Sequence, residues 1–267
     1  MTIIILHAMP ALASDSLPDL LSRIRERQGF WIAYRAQVTA RFSAAGKEAV
    51  CRGELNYHRL DEKILFRCSG ENQNLLFIFR AEDRAFELYL ASARRVYSGH
   101  ILDVENAPGI ESALKPLALY RALKSMAVPA AEAEIVKEKD QTWIRIHTTR
   151  RGHKRLVREI EVTPEGDVPY EVYYSEEAQP ATVIERADFR KEERRDRTRS
   201  KPVMLPRSIL IRDFSAASSG SVAITDGAEN RQEGRTELIF ESVRLDDAPA
   251  ADLWRADWPA DAEKVSL

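Results

Sequence analysis

Apolar and polar residues alternate with a period of two over most of the chain, a pattern typical of strands that bury one face. The first such segment spans residues 30–42 and places Trp31 on its polar side. Its apolar side carries Phe30, Ile32, Tyr34, Ala36, Val38, Ala40 and Phe42. Further alternating segments lie at 53–57, 64–69, 75–79, 86–90, 96–97, 142–147, 156–162, 168–174, 181–189, 203–214 and 235–245. Because short polar turns separate them, the pattern predicts an antiparallel meander and a mainly β fold of the α+β type.

Two regions have helical spacing instead. An amphipathic helix begins after Ser16, whose side chain can cap it, and ends at Gly29. Residues 108–126 form the second region, which Pro116 divides into two short helices. The chain has neither an internal repeat nor a low-complexity linker, so we predict a single domain over residues 14–267.

Composition narrows the class of protein but does not indicate a particular reaction or ligand. The chain has 267 residues, of which 44% are hydrophobic and 31% charged, and this excludes a wholly disordered chain. The formal charge of −2 gives no global attraction to nucleic acid. With 2 Cys and 5 His, a multi-cysteine zinc framework is excluded. No apolar run approaches the roughly 18 residues that a membrane helix requires.

Motifs for catalysis are missing from the sequence. The common nucleotide-binding, esterase and zinc-protease signatures are absent. His147 and His153 are close in sequence, but they flank a predicted turn, and we expect a solvated hairpin end there. The paired acids Glu192-Glu193 and Asp246-Asp247 are expected to be exposed to solvent. The sequence therefore predicts no cofactor, no metal site and no enzyme.

The amino terminus indicates export. An apolar run is followed by Ala11-Leu12-Ala13, which fits the cleavage pattern of a signal peptide. Residues 1–13 are thus expected to be a signal-peptide remnant, and the alternatives are a buried strand or an unstructured start. Ser14 follows the cleavage site, so no lipid attachment is indicated there.

A charged stretch covers residues 190–201 and holds seven cations and three anions. It could contact anionic lipid head groups or form a solvated loop between strands. The interleaved acids and the lack of an aromatic residue favour the loop.

The two cysteines lie on neighbouring predicted strands. If the hairpin turns through residues 58–61, Cys51 falls opposite Cys68, at a distance that a disulfide can bridge. In an oxidising compartment a disulfide would form, and in the cytosol the two would be small buried hydrophobic residues. Both outcomes remain open at this point.

Three parts of the sequence resemble the bacterial lipoprotein-carrier family, LolA and LolB, and its outer-membrane lipoprotein-sorting relatives. The first is FWIAYRAQVTARF followed by RGELNYHRLDEKILFRCSG, which is similar to the opening hairpin of the family. The second is LLFIFRAEDRAFELYLASARRVYSG, with an acidic turn between aromatic strands. The third combines VMLPRSILIRDF with GRTELIFESVRLDD, which resemble the closing strands.

This resemblance implies a curved antiparallel sheet that forms an incomplete barrel, with short helices as a lid over an apolar cavity for acyl chains. The alternative is that the same apolar residues fill an ordinary core. The residues expected to line the cavity are Phe30, Ile32, Tyr34, Val38, Phe42, Leu55, Tyr57, Ile64, Phe66, Phe77, Phe86 and Leu88.

The resemblance also implies a function. The chain has no lipobox cysteine, so it is more similar to LolA, a soluble periplasmic carrier, than to LolB. We expect a non-catalytic, monomeric carrier for lipid or an acylated lipoprotein, with an inner- or outer-membrane protein as a further partner and no nucleic acid. The alternative is a lipid-responsive envelope sensor of the same fold, in which the charged stretch or the tail with Trp254 and Trp258 docks a partner.

Overall fold

The computed structural model describes residues 16–29, 31–44, 47–102, 116–124, 127–192, 202–214, 234–246, 254 and 258–267. The first element is helix α1, Leu17–Gln28. Ser16 caps it as predicted, since the Asp19 N–H donates a hydrogen bond to Ser16 Oγ over 3.3 Å. Gly29 ends it with φ of 61°, a backbone conformation that favours glycine. The predicted signal-peptide remnant lies outside the described residues.

Strands make up most of the described chain. The first group is β1 (Ala33–Ala44), β2 (Lys47–His58), β3 (Lys63–Ser69), β4 (Leu75–Glu82), β5 (Ala85–Leu90) and β6 (Arg95–His100). Helix α2 follows at Pro116–Leu123, and a short 3₁₀ turn lies at Ala130–Glu132. The second group is β7 (Ala133–Glu138), β8 (Gln141–Arg150), β9 (His153–Val162), β10 (Tyr170–Tyr174), β11 (Pro180–Glu192), β12 (Val203–Asp213), β13 (Gly234–Leu245) and β14 (Glu263–Ser266).

The described strands form one open, curved sheet, which confirms the predicted fold class. Its order is β14-β6-β5-β4-β3-β2-β1-β13-β12-β11-β10-β9-β8-β7. Every neighbouring pair is antiparallel except β14 with β6. Strands β7 and β14, one at each edge, were not predicted. Pro116 begins α2, and the other helix expected before it lies outside the described residues.

The main core covers one face of the sheet, here called the inner face. It combines aromatic residues of β1 to β6 with aliphatic residues of β11 to β13 and with most of α2. A second cluster forms where α1 places Leu20 and Ile24 against β8 and β9. On the opposite face, Trp254 and Trp258 pack on a small cluster that contains Ile78 and Tyr89. The tryptophan tail therefore covers this chain's own sheet.

The alternation predicted that Trp31 lies on a polar face, but its side chain is buried. Only 5% of its surface is exposed, and its ring centre lies 5.5 Å from that of Tyr57. The reason is that β1 begins at Ala33, so the strand alternation does not extend to residue 31. The Arg59 guanidinium covers the indole at 5.1 Å from the ring centre.

The register of the hairpin between β2 and β3 differs by two residues from the predicted one. The turn occupies residues 59–62, and Gly53 rather than Cys51 is opposite Cys68. Because side chains alternate with a period of two, a shift of two residues keeps each side chain on its predicted face. Cys51 and Cys68 form a disulfide across this diagonal, with a Cα–Cα distance of 5.7 Å.

Glu192 and Asp246, both expected to be solvated at the surface, instead have partners in the sheet. Strand β11 extends to Glu192, whose carboxylate is buried and paired with Arg207 on β12. Asp246 accepts a hydrogen bond from the Ile32 N–H over 2.9 Å at the start of β1. The first three residues of the charged stretch therefore belong to a strand, and residues 193–201 lie outside the described part of the chain.

The disulfide gives a first prediction. Replacing both Cys51 and Cys68 with alanine should lower the free energy of unfolding by about 3 kcal/mol, since the bond closes a loop of moderate length in the unfolded chain. Urea unfolding followed by circular dichroism measures this loss. Wild-type protein treated with a reductant should lose a similar amount. Equal stability of the oxidised and reduced proteins would contradict the prediction.

Candidate functional site

A cavity of about 100 Å³ lies on the inner face, between the two helices and the strands β1 and β11 to β13. Most of its wall is apolar. The apolar wall consists of Trp31, Tyr34, Ala122, Leu123, Val168, Phe189, Met204, Leu205, Pro206, Ile209, Phe240 and Val243. Arg27, Lys124, Asp167 and Arg186 bring charges to the same cavity. The site therefore combines an apolar interior with a small set of ionic groups, as ligand sites commonly do.

The end of α1 is held at the cavity by the loop between β9 and β10. Arg27 donates two hydrogen bonds of 2.7 Å to the two carboxylate oxygens of Asp167. Gly166, with φ of 93°, precedes this aspartate, and a Cβ there would lie 2.7 Å from the Arg23 carbonyl oxygen. Only glycine lets the loop approach the helix backbone this closely.

Helix α2 covers the cavity and is fastened by polar contacts. The Tyr120 hydroxyl donates a hydrogen bond to Glu62 over 2.9 Å, and Lys124 forms an ion pair of 2.9 Å with the same carboxylate. Burial opposes ionisation of Glu62, but these two partners lower its pKa below the ordinary value. Arg186 on β11 donates to the Ala122 carbonyl oxygen over 3.4 Å.

A buried ionic cluster adjoins the cavity on β9, β10 and β11. Glu171 is fully buried, and Arg158 contacts its Oε1 at 2.6 Å. Arg186 Nη1 lies 2.9 Å from the other oxygen, Oε2. Burial would raise the pKa of Glu171, but the two arginines outweigh it and lower the pKa. The glutamate is thus a carboxylate between two guanidinium groups.

The structure places the predicted cavity residues in two environments. Among them only Tyr34 lines the described cavity, Ile32 is partly exposed, and Phe30 lies outside the described residues. The others are buried in the main core and pack against one another; they are Val38, Phe42, Leu55, Tyr57, Ile64, Phe66, Phe77, Phe86 and Leu88. Phe66 and Phe77, for example, meet edge to face at 5.2 Å between ring centres.

Sequence reasoning missed the residues on β11 to β13 that line the cavity. Ile209, Phe240 and Val243 lie in the closing strands, where their alternation was recognised but not connected with a site. Arg186 carried no signal, because its partner Glu171 lies on another strand.

The size of the cavity decides what it can hold in this conformation. Its volume of about 100 Å³ is below the roughly 300–1,000 Å³ of typical ligand pockets. A long acyl chain would therefore fit only if covering residues moved away from the sheet.

Neither a metal site nor a membrane helix is found in the part of the chain that the structure describes. It contains no group of three or more histidine, cysteine or acidic side chains that could hold a metal ion. His147 instead lies 3.6 Å from Glu134. None of the helices in the described ranges is long and apolar enough to cross a membrane.

The solved structures with this fold include three with TM-scores above 0.5. A domain described as an outer membrane lipoprotein-sorting protein, from Vibrio parahaemolyticus, has a TM-score of 0.58 at 10% identity, covering 89% of this chain and 95% of its own. A LolA superfamily protein from Nitrosomonas europaea has a TM-score of 0.51 at 10% identity, covering 92% and 100%. A DUF1329 family protein from Desulfovibrio piger has a TM-score of 0.55 at 10% identity, covering 89% and 95%.

These likenesses define the fold. No family model matches the sequence, and no curated protein matches it either. The open, curved sheet with short helices is the fold of these three structures, one of them a LolA superfamily protein, as the sequence resemblance predicted.

The buried cluster gives a second prediction. Glu171→Gln should lower the free energy of unfolding at pH 7 by about 3–5 kcal/mol, because two buried arginines lose their counter-ion. Since the pKa of Glu171 is lowered in the folded protein, its contribution is present above the ordinary value of about 4.3 and is lost as the pH falls through the folded pKa. The difference from wild type should therefore shrink below about pH 4.

Urea titrations of both proteins between pH 7 and pH 3 measure this difference. Glu176→Gln is the control, because Glu176 is exposed and its pair with Arg150 is solvated. A stability difference for Glu171→Gln that does not depend on pH would contradict the assignment of an ionised Glu171.

Proposed function

We propose that this protein is a non-catalytic carrier that binds the acyl chains of a lipid or an acylated lipoprotein between the inner face and helix α2. The observation that carries the proposal is the apolar cavity under α2, at the place where β1 meets β13. The likeness to a lipoprotein-sorting domain and to a LolA superfamily protein supports it.

Moving α2 away from the sheet would break polar contacts and uncover apolar surface, since seven of its eight residues are buried. The hydrogen bonds that fasten α2 through Glu62 and Ala122 contribute about 1 kcal/mol each. A buried methylene of a bound chain contributes about 0.8 kcal/mol. About three methylenes would therefore offset the loss of these two hydrogen bonds. The chain would also cover the apolar surface that α2 uncovers.

The proposed compartment is the periplasm. The Cys51–Cys68 disulfide supports this location, since such bonds persist in oxidising compartments. The cargo would then be received from one membrane partner and passed to another. The nine core residues of the predicted cavity, from Val38 to Leu88, are proposed as further binding surface when α2 moves away, since they share the main core with most of α2.

Val243→Trp tests whether the described cavity is the binding site. The side chain of Val243 lines the cavity, so an indole there should occupy the space of at least two methylenes. Losing their burial costs about 1.6 kcal/mol, which is roughly a tenfold weaker affinity. Titration with a fluorescent fatty acid measures the affinity.

Ser242→Trp is the matched control, because Ser242 is the preceding residue of β13 and is exposed. It should bind the probe as wild type does. Equal binding by the Val243 and Ser242 variants would place the acyl chain elsewhere.

A further inference from the structure

The charges around the cavity do not balance. At two places a cation and an acid form a neutral pair, namely Arg27 with Asp167 and Lys124 with Glu62. At the third place, two arginines share Glu171. Among the described residues, no other carboxylate forms an ion pair with Arg158 or Arg186. The third place therefore carries one excess positive charge.

This excess charge is held away from water. The exposed fractions of the side chains are 14% for Arg158, 9% for Arg186 and 1% for Glu171. A charge that is neither solvated nor neutralised by a partner is costly, and an incoming anion would relieve that cost.

Arg186 is the arginine that faces a ligand. It lines the cavity, whereas Arg158 does not. Arg158 is also better satisfied, since its Nε donates to Glu171 over 2.6 Å and its Nη1 donates to the Ala127 carbonyl oxygen over 2.8 Å.

One terminal nitrogen of Arg186 has an N–H group to spare. Its Nη1 carries two N–H groups and lies 2.9 Å from Glu171 Oε2 in the ion pair, without a well-aligned hydrogen bond to any described residue. The other nitrogen, Nη2, makes only the long contact of 3.4 Å to Ala122. A guanidinium in this state can donate to a carboxylate or phosphate oxygen.

We infer that the cavity selects an amphiphile with an anionic head group, whose carboxylate or phosphate pairs with Arg186 while its chain lies along the apolar wall of Ile209, Phe240 and Val243. This inference rests on the proposed acyl-binding function and specifies the class of ligand. A neutral acylated head group would leave the excess charge uncompensated.

The experiment compares three ligands with the same twelve-carbon chain, namely dodecanoate, dodecyl phosphate and dodecan-1-ol. Calorimetric titration of the full-length protein at pH 8, below the micellar concentrations of the anions and the solubility limit of the alcohol, gives the three affinities. Both anions should bind the wild-type protein about tenfold or more tightly than the alcohol, since a charge-assisted hydrogen bond is gained. A stronger affinity for one anion then identifies a carboxylate or a phosphate as the preferred head group.

Variants of Arg186 test whether this residue causes the preference for anionic ligands. Arg186→Gln should bind all three ligands with similar affinity, and Arg186→Lys, which keeps the charge, should retain a preference for the anions. Arg207→Gln is the control, because Arg207 is also buried in an ion pair but does not line the cavity. It should keep the wild-type preference, provided that circular dichroism shows a folded protein.

The possible failures can be distinguished. Equal binding of dodecan-1-ol and dodecanoate to the wild-type protein would overturn the selection of an anion and leave the acyl carrier intact. A folded Arg186→Gln protein that still prefers the anions would overturn the role of Arg186. If no ligand binds, both this inference and the proposed function are wrong. Should Arg186→Gln fail to fold, the wild-type comparison and Arg186→Lys decide the question.

Discussion

The pairing of β1 with β13 is the contact on which the rest of the structure depends. Apart from β14 beside β6, it joins two halves of the sheet that are built from strands adjacent in sequence, β1 to β6 on one side and β7 to β13 on the other. The ladder runs from Tyr34 opposite Leu245 to Ser43 opposite Arg235, so it connects positions about two hundred residues apart. The cavity lies at this junction, because Tyr34 comes from the first half and Phe240 and Val243 from the second. Without this pairing each half would retain hairpins, but neither would form the cavity.

Two different physical devices meet at the junction. The apolar wall and the packed aromatic residues of β1 to β6 stabilise the sheet by excluding water, without fixing what else is bound. The buried group of Arg158, Glu171 and Arg186 is different, because burying its charges costs desolvation free energy. Only a specific charged or hydrogen-bonding partner can offset that cost. A buried ionic group beside an apolar cavity is therefore better explained by recognition than by stability. Helix α2 links the two devices, since it covers the apolar wall and also accepts a hydrogen bond from Arg186.

Local patterns in the sequence predicted much of the fold. Alternation identified most strands, and the face of each core residue survived a register error at Gly53, because a shift of two residues preserves the face. Trp31 was assigned to the wrong face because it precedes the strand, and Glu192 was expected at the surface because its partner Arg207 lies on another strand. The cavity could not be derived in the same way. Its wall is assembled by the junction of β1 and β13 and by α2, and no local pattern reports which distant strands become neighbours.

The central claim is that the space beneath α2 carries a lipid. The most direct measurement is organic extraction and mass spectrometry of the protein purified without detergent from its native cells. The account predicts an acyl lipid or acylated peptide in a near-stoichiometric amount, and an anionic species would agree with the charge at Arg186. Protein that yields no lipid, and that also fails to bind an added fluorescent fatty acid, would show that the inner face is a filled core and would contradict the account.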